Sequence, residues 1–103
     1  MTEIDVTEKD AATVHVGDTL VVRLAETPST GFTWTAEVTG TGVSVARDTQ
    51  AGHPEPRPGA AGQRVFVLDA TAPGQADVSL TLARPWDPAS ASETRRIHVV
   101  VEP

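Results

Sequence analysis

The stretch Phe32-Thr33-Trp34-Thr35-Ala36-Glu37-Val38-Thr39 alternates without a break, with Phe32, Trp34, Ala36 and Val38 on one side and Thr33, Thr35, Glu37 and Thr39 on the other. Successive side chains of a β-strand point to opposite faces, so this is a strand with one buried and one solvated face. Trp34 should lie in the core, and Gly40-Thr41-Gly42 should close the strand. Before it, Leu20, Val22 and Leu24 alternate with Val21, Arg23 and Ala25. After it, Val43 and Val45 open a short strand, and Phe66, Leu68 and Ala70 alternate with Val65, Val67 and Asp69. Pro73-Gly74 turns the chain into a further strand carrying Val78, Leu80 and Leu82, and a last one runs from about Thr94 to Val101 with Ile97, Val99 and Val101 inward. Weaker alternation at Glu3 to Val6 and Thr13 to Val16, the latter before Gly17-Asp18, predicts short edge strands.

Seven or so strands joined by Gly and Pro turns, without a helical period, predict an all-β antiparallel sandwich or barrel of immunoglobulin-like type. At 103 residues the chain is read as a single domain over 1–103. There is no cysteine, so neither disulfides nor thiolate chemistry contribute and the fold rests on packing. A formal net charge of −6 argues against nucleic acid as a partner. No apolar stretch approaches membrane-spanning length, and a monomer is expected. Met1 to Asp10 does not read as an export signal, which leaves the chain cytoplasmic as it stands, or secreted or periplasmic if a signal was removed. Heavy use of Ala, Arg, Gly, Pro and Val, with Lys9 as the single lysine, suggests a bacterial source rich in GC.

Three connections differ from ordinary turns. Thr27-Pro28-Ser29-Thr30-Gly31-Phe32 combines a proline that fixes one dihedral, a glycine able to take positive φ, and short hydroxylic side chains between them. Such a loop is narrow, stiff and uncharged, and it loses little entropy on binding. Asp48 to Gly62 holds Pro54, Pro56, Pro58, Gly52, Gly59 and Gly62 without a large apolar residue, and reads as a structureless segment, either functional or a linker. Arg84-Pro85-Trp86-Asp87-Pro88 places a tryptophan between prolines, outside any alternation. Trp86 is an interface anchor or a cap folded over the sandwich end. Arg84 stacks on an aromatic ring, bonds a carbonyl or braces its own loop. Two strand passes separate the first connection from the second and the second from the third, so all three should emerge at one pole.

Catalytic chemistry is missing from the pattern. His15 and His98 fall within strands and His53 in the proline-rich loop, with no metal-ligand spacing among them. The acidic residues form no evident pair, and Ser29 and Thr30 have no neighbouring base. No enzyme, cofactor or metal site is expected.

Taken together and in order, the three connections resemble the chagasin family of cysteine-peptidase inhibitors (inhibitor of cysteine peptidase). Members carry Asn-Pro-Thr-Thr-Gly-Tyr/Phe, Gly-x-Gly-Gly and Arg-Pro-Trp; here these read Thr27-Pro28-Ser29-Thr30-Gly31-Phe32, Gly59-Ala60-Ala61-Gly62 and Arg84-Pro85-Trp86. Trp34 matches the family tryptophan on the strand after the first loop, and the likeness spans roughly residues 12 to 101. Thr27 stands in place of Asn and Ala61 in place of Gly. The resemblance implies reversible inhibition of papain-like cysteine peptidases: the Thr27–Phe32 loop enters the active-site cleft, and the loops at Gly59, Ala60, Ala61 and Gly62 and at Arg84, Pro85 and Trp86 flank it. The alternative is an immunoglobulin-like binding or adhesion module that recognises another protein or a glycan through the same loops.

Overall fold

A computed structural model describes residues 2–26, 31–51, 62–84 and 86–103. It contains the strands β1 (Glu3–Asp5), β2 (Ala11–His15), β3 (Thr19–Glu26), β4 (Thr33–Gly40), β5 (Val43–Ala51), β6 (Gly62–Ala70), β7 (Gly74–Ala83) and β8 (Glu93–Glu102), and one turn of 3-10 helix at Pro88–Ser90. They form two four-stranded sheets, ordered β1-β3-β6-β5 and β2-β8-β7-β4. The expected edge strands are both present, as β1 and β2. Each runs parallel to its neighbour, β1 along β3 and β2 along β8, whereas β3 to β8 pair antiparallel. The sheets are therefore mixed, a departure from the purely antiparallel expectation. The cause is the route of the chain: β1 and β3 lie in one sheet with β2 between them in the other, so the two same-sheet strands point the same way.

The core forms where the predicted inward residues of the two sheets meet. Leu20, Val22, Phe66, Leu68, Val78, Leu80, Ile97 and Val99 are buried, with Trp34 beside them, and Ala36, Val38 and Leu82 pack at its margin. Burying each large apolar side chain contributes about 1.5–3 kcal/mol. The Trp34 indole N–H would be costly to bury unbonded, and it donates to the Ala25 carbonyl at 2.9 Å.

One expectation fails clearly. Asp48 does not begin a structureless segment: β5 continues through Ala51, pairing Asp48 with Phe66, Thr49 with Val65, Gln50 with Arg64 and Ala51 with Gln63. A register shift between Val45 and Arg47 precedes this extension. β5 is a sheet edge, and residues 44–49 are all exposed. Backbone pairing and one polar side-chain contact, rather than apolar burial, hold this half of the strand, so no hydrophobic period marks it in the sequence. Residues 52–61, with His53 and the proline run, lie outside the described residues.

Candidate functional site

The ends of β3, β4, β6 and β7 meet at one pole. Glu26, the last residue of β3, is opposite Gly62, the first of β6; Thr33, the first of β4, is opposite Ala83, the last of β7. The stems of all three special connections therefore share this end, in agreement with the count of strand passes. Of the candidate residues, Gly31, Phe32, Gly62, Arg84 and Trp86 are described, whereas Thr27, Pro28, Ser29, Thr30, Gly59, Ala60, Ala61 and Pro85 lie outside the described residues.

The third connection is braced from within. The Arg84 N–H donates to the Ser90 hydroxyl at 2.8 Å, and that hydroxyl donates to the Asp87 carbonyl at 2.6 Å. The Asp87 N–H returns to the Arg84 carbonyl at 3.0 Å, and the Asp87 carboxylate accepts from the Ala89 N–H at 3.2 Å. Short polar side chains satisfy the turn's backbone, which is why Asp and Ser suit these positions. Trp86 stands at the tip of this braced turn and is 73% exposed.

Two contacts join the third connection to the first. The Arg84 guanidinium carbon lies 4.7 Å from the centroid of the Phe32 ring, within cation–π range. This selects aromatic stacking for Arg84, while its main chain serves the turn. Beside it, Gly31 adopts φ +79°, and a Cβ placed there would lie 2.9 Å from Cη2 of Trp86. The indole thus covers the glycine while most of its surface stays open to solvent. Gly31 meets two demands, a left-handed backbone and room for the ring.

The sequence reading missed the polar network beneath these loops. Glu26 is 3% exposed, and its Oε2 accepts the Trp34 N–H at 2.8 Å, tying the two stems of the first loop together. Glu26 Oε1 lies 3.6 Å from Arg64 Nη1. Arg64 in turn donates through Nε and Nη2 to both oxygens of Asp48, at 2.6 and 3.2 Å. A signal was there to be read. Glu26 falls on the parity of Leu20, Val22 and Leu24, and Arg64 on that of Phe66, Leu68 and Ala70, so opposite charges face inward on neighbouring strands.

Elsewhere, His15 and His98 occupy β2 and β8 and are exposed. His98 Nδ1 lies 2.8 Å from Asp77 Oδ1 across the β7–β8 ladder. On β1, Asp5 accepts from the Thr7 N–H at 2.9 Å and lies 3.7 Å from Arg23. Hydrogen bonding from Thr7, above all from its side chain, together with the Arg23 charge, holds the Asp5 carboxyl below the usual aspartate range. Among the described residues, no group of three His, Asp or Glu is arranged to hold a metal ion.

Comparison with known proteins follows the same lines. The structure is similar to that of the cysteine protease inhibitor EhICP2 from Entamoeba histolytica, with a TM-score of 0.82 and 29% identity over 99% of this chain and 97% of that one. It shares its fold with amebosin, at a TM-score of 0.77 and 21% identity, covering 98% of this chain and 97% of the other. It also shares it with PbICP-C, solved in complex with falcipain-2, at a TM-score of 0.73 and 17% identity, covering 97% and 89% of the two chains. No curated protein sequence matches the chain. The family model of the chagasin family peptidase inhibitors, I42, matches residues 13–101. With the stems of its three special connections at one pole of such a sandwich, the chain belongs to the chagasin family of peptidase inhibitors and is an inhibitor, not an enzyme.

Proposed function

We propose that the chain is a reversible inhibitor of papain-like cysteine peptidases, with the Thr27–Phe32 loop filling the active-site cleft. The loops at Gly59–Gly62 and Arg84–Trp86 clasp the enzyme on either side. The observation that carries this reading is the placement of Trp86: exposed, on an internally bonded turn, and lying over Gly31 at the end of the first loop. An exposed aromatic on a rigid support makes an efficient anchor, because its apolar area is buried on binding and little freedom is lost. Both the family and the inhibitor neighbour EhICP2 support cysteine peptidases as the target class. A loop held rigidly in the cleft excludes substrate. Without a scissile carbonyl in attack geometry, it is not itself consumed. An interface of roughly 800 Å² per partner is sufficient for tight binding when one or two anchors dominate. The composition favours a bacterial source.

Titration of papain with the purified protein tests the proposal. Inhibition at sub-micromolar concentration is expected. Unchanged papain activity at tens of micromolar inhibitor would refute it.

A further inference from the structure

A carboxylate that is 3% exposed is costly to bury unless its partners are fixed, and Glu26 sits where β3 gives way to the first loop. Its two oxygens serve different tasks. Oε2 binds the main chain of Trp34, eight positions on, so that the side chain of one stem holds the backbone of the other. Oε1 faces Arg64, two positions after Gly62 on β6, and Arg64 grips Asp48 on β5 in a two-pronged pair. β5 enters the second connection and β6 leaves it. The three charges therefore run from the stem of the first loop to both stems of the second.

Packing does not require this arrangement. A buried ion pair is commonly matched or exceeded in stability by apolar residues of similar volume, and the inward positions next along β3 and β6, Leu20, Val22, Leu24, Phe66, Leu68 and Ala70, are apolar. β3, β6 and β5 are already joined by their ladders, whereas β4 lies in the other sheet; what the charged network supplies is a fixed geometry across the two sheets, with Glu26 tying the Trp34 main chain to that ladder.

We infer that Glu26 and Arg64 are positioning residues for inhibition: they hold the β4 stem of the first loop against the β3, β6 and β5 stems, so that the bases of the first and second loops meet the peptidase in one fixed arrangement. The inference rests on the inhibitor reading above and adds residues to it that do not touch the enzyme. Rigid coupling acts mainly after docking, because a surface that cannot yield one loop at a time is slow to peel away. It also keeps the main chain between residues 26 and 34 from drifting into attack geometry in the cleft.

The test compares wild type, Glu26→Gln, Arg64→Met and the double variant, with Val99→Ala as a core control. Glu26→Gln keeps an acceptor for the Trp34 N–H and removes the charge that faces Arg64. Against papain, each single variant is expected to raise koff about tenfold with kon changed less than about threefold. The double variant should be no worse than the worse single one, as coupling through one pair requires. Mass spectrometry after prolonged incubation should show cleavage between residues 26 and 34 in the single variants and an intact wild type. Val99→Ala should lower Tm at least as far while leaving koff within about twofold of wild type. In the free protein, hydrogen exchange should accelerate in Glu26→Gln at the amides of Phe32 and Gly62 together. Wild-type exchange at both amides, or a koff that tracks Tm along the same line as Val99→Ala, would overturn the inference. If wild type left papain untouched, the inhibitor reading would fail, and the exchange experiment would still decide whether the stems are coupled.

Discussion

At one end of the sandwich Gly42 takes φ +91°, and a Cβ there would lie 2.3 Å from the Ala72 carbonyl oxygen; at the other end a Cβ on Gly31 would meet the Trp86 indole at 2.9 Å. The first obstacle is backbone and the second a side chain at the surface. At the Gly42 end, turns lock onto turns: the Thr71 N–H donates to the Gly42 carbonyl at 2.7 Å and the Thr41 N–H to the Gln75 carbonyl at 2.9 Å. Among the described residues, no aromatic side chain is exposed there. At the Gly31 end, backbone needs are met within each connection by Asp87, Ser90 and Glu26, and an indole is left facing outward. Both ends use the same chemistry of glycine, proline and short polar residues. One directs its interactions to closing the fold, the other to holding a surface ready.

The sharpest way to break this contrast is to substitute each end and ask which property moves. Gly42→Ala should cost stability by about 2–4 kcal/mol, the sum of a left-handed alanine and a backbone overlap. Thermal unfolding would show the loss, and the fraction that remains folded should inhibit papain with wild-type Ki. Trp86→Ala should do the reverse, weakening inhibition at least about tenfold, or about 1.4 kcal/mol, with Tm nearly unchanged. A large fall in Tm would instead make Trp86 a structural cap and erase the difference between the poles.

Smaller substitutions sharpen the comparison further. Arg84→Gln removes the guanidinium above Phe32 and should weaken inhibition roughly two- to fivefold, in line with about 0.5–1 kcal/mol for an exposed cation–π contact. Progress curves with papain would resolve that change. The smallest effect is expected at Asp5, between the poles. Its folded carboxyl titrates below the ordinary aspartate range, so its contribution is present above the unfolded pKa and fades as pH falls through the lower folded one. Asp5→Asn should therefore lower stability slightly at neutral pH and match wild type in strong acid, as urea unfolding at several pH values would show. Inhibition should be unaffected where both proteins are folded.

How far the sequence revealed these features depended on whether burial left a period in it. β3, β4, β6, β7 and β8 each turn one face to the core, with Val21 of β3 also buried on the opposite parity, and their alternation was legible for that reason: Val22, Trp34, Phe66, Leu80 and Val99 all lie where the period of two puts them. The second half of β5 was not legible. Arg47, Asp48 and Thr49 are exposed, and a strand held by one neighbour's backbone and a charge pair at Asp48 leaves no apolar alternation. The three connections stood out because proline and glycine restrict or free the backbone locally, a signal that needs no knowledge of tertiary contacts. Glu26 and Arg64 were hidden for the opposite reason. Each is an ordinary charged residue in its own strand, and its meaning comes from a partner tens of positions away. Their shared inward parity becomes informative once β3 and β6 are known to be neighbours.

The chain contains two tryptophans and no tyrosine, and the fold has placed those tryptophans in opposite surroundings. Trp34 is 2% exposed with its indole nitrogen bonded to Ala25, whereas Trp86 is 73% exposed. The protein therefore carries its own pair of optical reporters. A soluble quencher such as acrylamide should reach Trp86 in the free protein and Trp34 after unfolding. Docking should shield Trp86 alone, so fluorescence from single-tryptophan variants separates engagement from denaturation without an added label.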